Sequence, residues 1–133
     1  MKTLLVLDDE AVVMDLMLYL LRHYTVLAAT TAEQALRLFT DHGSQIDLLV
    51  AEVALLTGSG IIVARLLRSE RPGLPVILTS ACPVSHWDSL DLEKLGPDSV
   101  LTLQKPFRVE GLLNAVRQLI GAPQSSAAAR SRL

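Results

Sequence analysis

Five short apolar runs recur along this chain, and after each one the pattern changes to helical spacing. The runs are Leu4-Leu5-Val6-Leu7, the weaker Tyr24 to Ala29, Asp47 to Val53, Val76 to Ser80, and Val100 to Gln104. Apolar runs this short, without polar alternation, are expected of strands covered on both faces, as in a parallel sheet wrapped by helices. The intervening segments supply the helices. Asp9 to Arg22 contains good helix formers and no Gly or Pro. Thr31-Ala32-Glu33-Gln34 fits a capping box, with Ala35, Leu36 and Phe39 on one face of the helix it opens and Gly43 at its end. Ser59 is a candidate N-cap for a helix from Ile61 to about Arg71, which Pro72-Gly73 stops. Pro83 to Leu95 reads as a poor helix because of Ser85, Asp88, Ser89 and Asp91, and Arg108 to Ile120 as an amphipathic one. The alternation specifies an α/β fold with a doubly wound five-stranded parallel sheet, flavodoxin-like in plan.

In such sheets functional groups gather beyond the carboxyl ends of the strands. Here those ends carry Asp8 and Asp9, then Glu52, then Ser80, then Lys105. Each is polar or charged and closes an otherwise apolar run, which packing does not require. Acids at a helix N-terminus also satisfy the macrodipole, so Asp8 and Asp9 have a purely structural reading as well.

Composition narrows the class. The chain has 133 residues, half of them apolar and a fifth charged, as expected of one globular domain. We place that domain at residues 1–121 and read 122–133, rich in Ala, Ser and Arg, as a disordered tail or linker stub. A net charge of −2 offers no general attraction to nucleic acid or to an anionic membrane. The first apolar run meets Asp8, Asp9 and Glu10 too soon for a signal peptide, and no stretch approaches the ~18 apolar residues of a membrane span. A single cysteine, Cys82, excludes an internal disulfide and fits a cytoplasmic protein. One helix stands out: Val12, Val13, Met14, Leu16, Met17, Leu18, Leu20 and Leu21 leave the first almost no polar face. Either the last helix and the tail cover it, or its outer flank is a surface for a partner or a second copy.

Three segments then fit together. They are Leu5-Val6-Leu7-Asp8-Asp9-Glu10; Asp47-Leu48-Leu49-Val50-Ala51-Glu52 with Gly60 downstream; and Pro75-Val76-Ile77-Leu78-Thr79-Ser80-Ala81 with Lys105-Pro106-Phe107. In this order they resemble the CheY-like receiver domain of bacterial response regulators, over Leu4 to about Ile120. The resemblance implies phosphoryl transfer from a histidine kinase to an aspartate with the help of Mg²⁺, and as partners a histidine kinase, a phosphotransfer protein or an output domain. By position, Asp8, Asp9 and Glu52 would hold the metal, Lys105 the phosphoryl group, and Ser80 would be the switch hydroxyl.

The nucleophile's place belongs to Glu52. Its carboxylate stands one methylene further out than an aspartate's, roughly 1.5 Å. Misplacement of that order costs on the order of a hundredfold in attack. The longer arm is expected to reach Lys105 and to supply permanently part of the charge a phosphoryl group would add. Thr102 replaces the aromatic usual three residues before the lysine, and Leu56 a common proline. These departures favour a non-enzymatic pseudo-receiver that acts by protein–protein contact, with Mg²⁺ binding weakened or lost. A working Mg²⁺-dependent phosphoreceiver is the alternative. A flavodoxin-like ligand binder is a second, disfavoured because three acids, not a Gly-rich phosphate loop, follow the first strand.

Overall fold

Five parallel strands, β1 (Thr3–Leu7), β2 (Thr25–Ala29), β3 (Ile46–Glu52), β4 (Val76–Ser80) and β5 (Val100–Gln104), form one sheet in the order β2-β1-β3-β4-β5. Every pairing within it is parallel. This is a computed structural model, and it describes residues 1–123. Most of the segment read as a tail therefore lies outside the described residues. Five helices complete the fold: α1 (Ala11–Leu20), α2 (Ala32–His42), α3 (Gly60–Glu70), α4 (Ser89–Leu95) and α5 (Val109–Ile120).

The continuous runs are explained by two cores, one on each face of the sheet. Leu4, Val6, Leu48, Val50 and Ile77 pack against Met14 and Met17 of α1 and Leu112 and Val116 of α5. Their alternating neighbours Leu5, Leu7, Leu49, Ala51 and Leu78 face Phe39 of α2, Ile61 and Leu67 of α3, and Leu95 of α4. With both faces covered, the central strands are apolar from Leu4 to Leu7 and from Leu48 to Ala51. Each of the larger side chains contributes about 1.5–3 kcal/mol on burial.

The strand order reverses between β1 and β3, so the crevice of the fold opens there, at the carboxyl ends. The ends of β1, β3, β4 and β5 share that rim, which brings Asp8, Glu52, Ser80 and Lys105 together from distant parts of the chain.

Local chemistry accounts for where the elements depart from expectation. The first helix starts at Ala11, two residues later than expected, because the Asp8 carboxylate accepts from the Glu10 amide at 2.9 Å and turns the chain first. Thr31 caps α2 by accepting from the Gln34 amide, but the Gln34 side chain accepts from Thr30 instead of the cap residue itself. Gly43 ends α2 as expected, in αR geometry that leads into a single 3₁₀ turn, Gly43–Gln45. Ser59 caps α3 as expected, accepting from the Ile61 amide. The poor helix resolves into a 3₁₀ turn, Val84–His86, then an extended Trp87, then α4 capped by Asp88 through the amides of Leu90 and Asp91. A small hairpin, Ala54–Leu55 against Gly58–Ser59, follows β3 and was not anticipated.

One glycine is required by contact. A Cβ on Gly60 would lie 2.1 Å from the Glu52 carbonyl oxygen and 2.8 Å from its carbon. The first turn of α3 thus rests directly on the backbone that carries Glu52.

Candidate functional site

The first strand delivers Asp8 to the rim almost fully buried, and the third delivers Glu52 beside it, 4% exposed. Lys105 reaches in from the end of β5, just before Pro106. Its ammonium donates to Asp8 Oδ2 at 2.8 Å and to Glu52 Oε1 at 3.0 Å. The remaining carboxylate oxygens are engaged as well. Asp8 Oδ1 takes the Glu10 amide, and Glu52 Oε2 takes the amide of Val53 at 2.9 Å, which that amide shares with the Thr79 carbonyl. No buried side-chain nitrogen or oxygen among the described residues is left without a partner.

These contacts set the electrostatics. Burial raises the Glu52 pKa, and the nearby Asp8 charge adds to the rise, while Lys105 and the Val53 amide pull the other way and only partly offset it. Burial by itself would lower the Lys105 pKa; its bonds to Asp8 and Glu52 outweigh that and leave it raised. The cluster therefore holds one cation against two carboxylates in a nearly dry site, the arrangement in which each partner depends on the others.

Asp9 does not join it. Its Oδ2 accepts from the Leu56 amide at 2.7 Å, pinning the hairpin after β3. Asp8, Asp9 and Glu52 were expected to hold a divalent metal together, and the donor type is right, since hard cations take carboxylate oxygen. The arrangement is not. Among the described residues no group of three acids, histidines or cysteines is placed to share one ion. The Lys105 ammonium occupies the space between Asp8 and Glu52, and the third acid faces a backbone amide. In this arrangement the Lys105 ammonium bridges Asp8 and Glu52.

Ser80 lies at the same rim, buried at the end of β4, with its hydroxyl accepting from the Cys82 amide at 3.1 Å. Its backbone carbonyl accepts from the Lys105 amide at 2.8 Å, which ties β4 to β5 at the cleft. Thr102 is exposed on β5, as its place in the alternation requires. The groups missed in the sequence are backbone amides, those of Val53 and Leu56. They hold two of the acids in place, and a main-chain donor leaves no residue-type signal.

A family model for the response regulator receiver domain matches residues 4–117. The chain belongs to that family. The receiver is 32% identical over 118 residues to the probable transcriptional regulatory protein TcrX of Mycobacterium tuberculosis, an alignment covering 89% of this chain and 49% of TcrX. It is 34% identical to the alkaline phosphatase synthesis transcriptional regulatory protein PhoP of Bacillus subtilis, over 93% of this chain and 52% of PhoP. The receiver thus spans about half the length of the curated relatives it matches. Among solved structures, a response regulator receiver domain protein of Clostridium thermocellum superposes with a TM-score of 0.80 at 21% identity, over the full length of both chains. The response regulator TrrA of Thermotoga maritima, in complex with Mg²⁺ and a beryllofluoride, matches at 0.77 with 25% identity, over 90% of this chain and all of that one. The CheY-like α/β fold and the place of this domain in two-component signalling follow from these likenesses. No described helix is long and apolar enough to cross a membrane.

Proposed function

We infer that this receiver is a pseudo-receiver: it keeps the receiver's shape, does not catalyse its own phosphorylation, and works by binding other proteins. The observation that supports this most is the ion triad. Glu52 stands at the phosphoacceptor position, and its longer arm places a carboxylate oxygen 3.0 Å from Lys105. A carboxylate already bonded to the lysine and to its own following amide is poorly disposed to attack a phosphoryl group. The lysine's charge, which a phosphoryl group would otherwise draw, is spent on Glu52 and Asp8.

In this reading Mg²⁺ binds weakly or not at all, because the ammonium supplies the positive charge that the metal would bring. Calorimetric titration of Mg²⁺ tests it. Wild-type protein is expected to give little heat, and Glu52→Asp, with the arm shortened away from Lys105, to bind the ion. Tight binding by the wild type would contradict the reading.

The expected partners are a histidine kinase, a phosphotransfer protein or an output domain, and the surface around the cleft suits docking. Leu56 is 92% exposed on the hairpin that Asp9 holds. A groove of about 340 Å³ lies beside the cleft, lined by Glu10, Val13, Leu16, Lys105, Pro106 and Phe107. The outer flank of α1 adds Val12, Leu16 and Tyr19, at 81%, 49% and 62% exposure. Spacings of four and three residues put these on one stripe of the helix. Asp15 flanks the middle of that stripe, and Arg22 and His23 lie past its carboxyl end. An exposed apolar stripe of this kind suits a second copy of the same helix, and we propose self-association through the α1 flank.

A further inference from the structure

Past Ser80 the chain leaves the sheet, and the segment that follows is strapped down at both ends. The Ser80 hydroxyl accepts from the Cys82 amide at 3.1 Å, and the Cys82 carbonyl accepts from the Trp87 indole N–H at 3.0 Å. Trp87 is the only tryptophan in the chain. It is 8% exposed although His86 and Asp88 on either side are exposed, and it belongs to the core cluster that includes Leu67 and Leu95, with Leu92 packed against it. Its own amide closes the 3₁₀ turn by donating to Val84, and Asp88, the cap of α4, comes next.

At its other end the strap meets the cleft. Ser80 accepts from the Lys105 amide through its carbonyl, and the Lys105 ammonium holds Asp8 and Glu52. A contiguous set of bonds therefore runs from the Glu52 carboxylate through Lys105, Ser80 and Cys82 to the indole that roots α4 in the core. Packing alone would be served by any large apolar ring at 87. The indole N–H does something packing does not: it fixes the position of the Cys82 carbonyl, and with it the turn that engages the Ser80 hydroxyl.

We propose that Trp87 is the positioning residue for the Ser80 segment, coupling the Glu52–Lys105 cluster to α4. If the Ser80 hydroxyl turns into the cleft it gives up the Cys82 amide, the turn loosens, and the indole loses its carbonyl. The coupling does not depend on whether Glu52 accepts a phosphoryl group, so it can fail while the pseudo-receiver reading stands, and the reverse.

Because Trp87 is alone, its fluorescence reports on the strap without labelling, and amide exchange across residues 81–88 provides a second readout. Ser80→Ala is expected to shift the emission and to speed exchange in that segment about fivefold, the loss of one neutral hydrogen bond. Glu52→Gln, at a residue with no direct hydrogen bond to the indole, is expected to shift the emission as well, and to add little when combined with Ser80→Ala. Thr102→Ala is expected to leave both readouts unchanged. Trp87→Phe keeps a smaller ring in the core and removes the N–H; exchange is expected to rise over 81–88, where the Cys82 carbonyl loses its donor, while α2 and α5 stay protected. Wild-type exchange in Trp87→Phe would show a packing role only and overturn the proposal. So would an emission that ignores Glu52→Gln, adds independently in the double variant, or responds to Thr102→Ala as strongly as to Ser80→Ala.

Discussion

Lys105 and Glu52 form a buried ion pair at 3.0 Å across the rim of the sheet, and the same ammonium is 2.8 Å from Asp8. The lysine side chain is only 12% exposed there, and the two carboxylates less. The pair is stable as a unit, and its members are costly to separate.

Removing the cation leaves two carboxylates buried without compensation. Lys105→Met is expected to lower stability by about 3–5 kcal/mol in a denaturant melt. Adding Mg²⁺ is then expected to restore part of the loss, since an ion can take the vacated charge. The wild type should melt at the same temperature with Mg²⁺ or with a chelator. A wild type that Mg²⁺ stabilises as much as it does the variant would show that the ammonium does not stand in for the metal.

The contact beneath Glu52 gives a second test. Gly60→Ala forces a methyl group into the Glu52 carbonyl, where a Cβ would lie 2.1 Å away, and backbone has to move. Overpacking of this kind costs about 1–3 kcal/mol. The strand end should shift with it, so the Lys105–Glu52 pair should also loosen. An alanine variant as stable as the parent would mean that α3 is free to slide off the strand.

Stability should depend on pH through the same cluster. Glu52 has a raised pKa in the folded state, so between its unfolded and folded values the native protein holds more protons. Stability from this group is then fullest below the ordinary carboxylate range and is lost as the pH rises through the folded value. Lys105 is raised too, so its contribution persists through neutral pH and disappears only in the alkaline range, above the ordinary lysine value. Replacing Glu52 with Gln should flatten the acid-side slope and leave the alkaline loss in place. Urea melts across the pH range check this; an unchanged slope in the variant would assign the acid-side titration to other groups.

The outer stripe of α1 can be probed without replacing any residue of the ion cluster. Leu16 is at its centre, between Val12 and Tyr19, and is half exposed. Leu16→Glu is expected to reduce the mass measured by light scattering at high protein concentration while leaving the melt nearly unchanged. Equal monomeric masses for both proteins would remove self-association from the account.

Much of the fold was legible because its two cores impose a simple rule on the strands. Leu48-Leu49-Val50-Ala51 is apolar at every position since alternate residues face α1 and α5 on one side and α2 and α3 on the other. The reach of Glu52 to Lys105 was legible from side-chain length and from the order of strand ends. Asp9 was not. Its partner is the Leu56 amide on a hairpin of two-residue strands, too short to show periodicity, so its hold on that loop left no mark in the sequence. Trp87 was hidden for a related reason: a lone aromatic among Ser85, His86 and Asp88 has no periodic partners in sequence, and only the fold supplies its core neighbours. The polar residues around it, which argued against a helix, include the cap that starts one.

The most direct test exposes the receiver to a small phosphodonor with Mg²⁺ and follows intact mass, wild type beside Glu52→Asp. Wild-type protein is expected to gain nothing, and the aspartate variant to gain one acid-stable but base-labile phosphoryl group at position 52. A phosphoryl group on Glu52 of the wild type, formed as readily as on the variant's aspartate, would contradict the account.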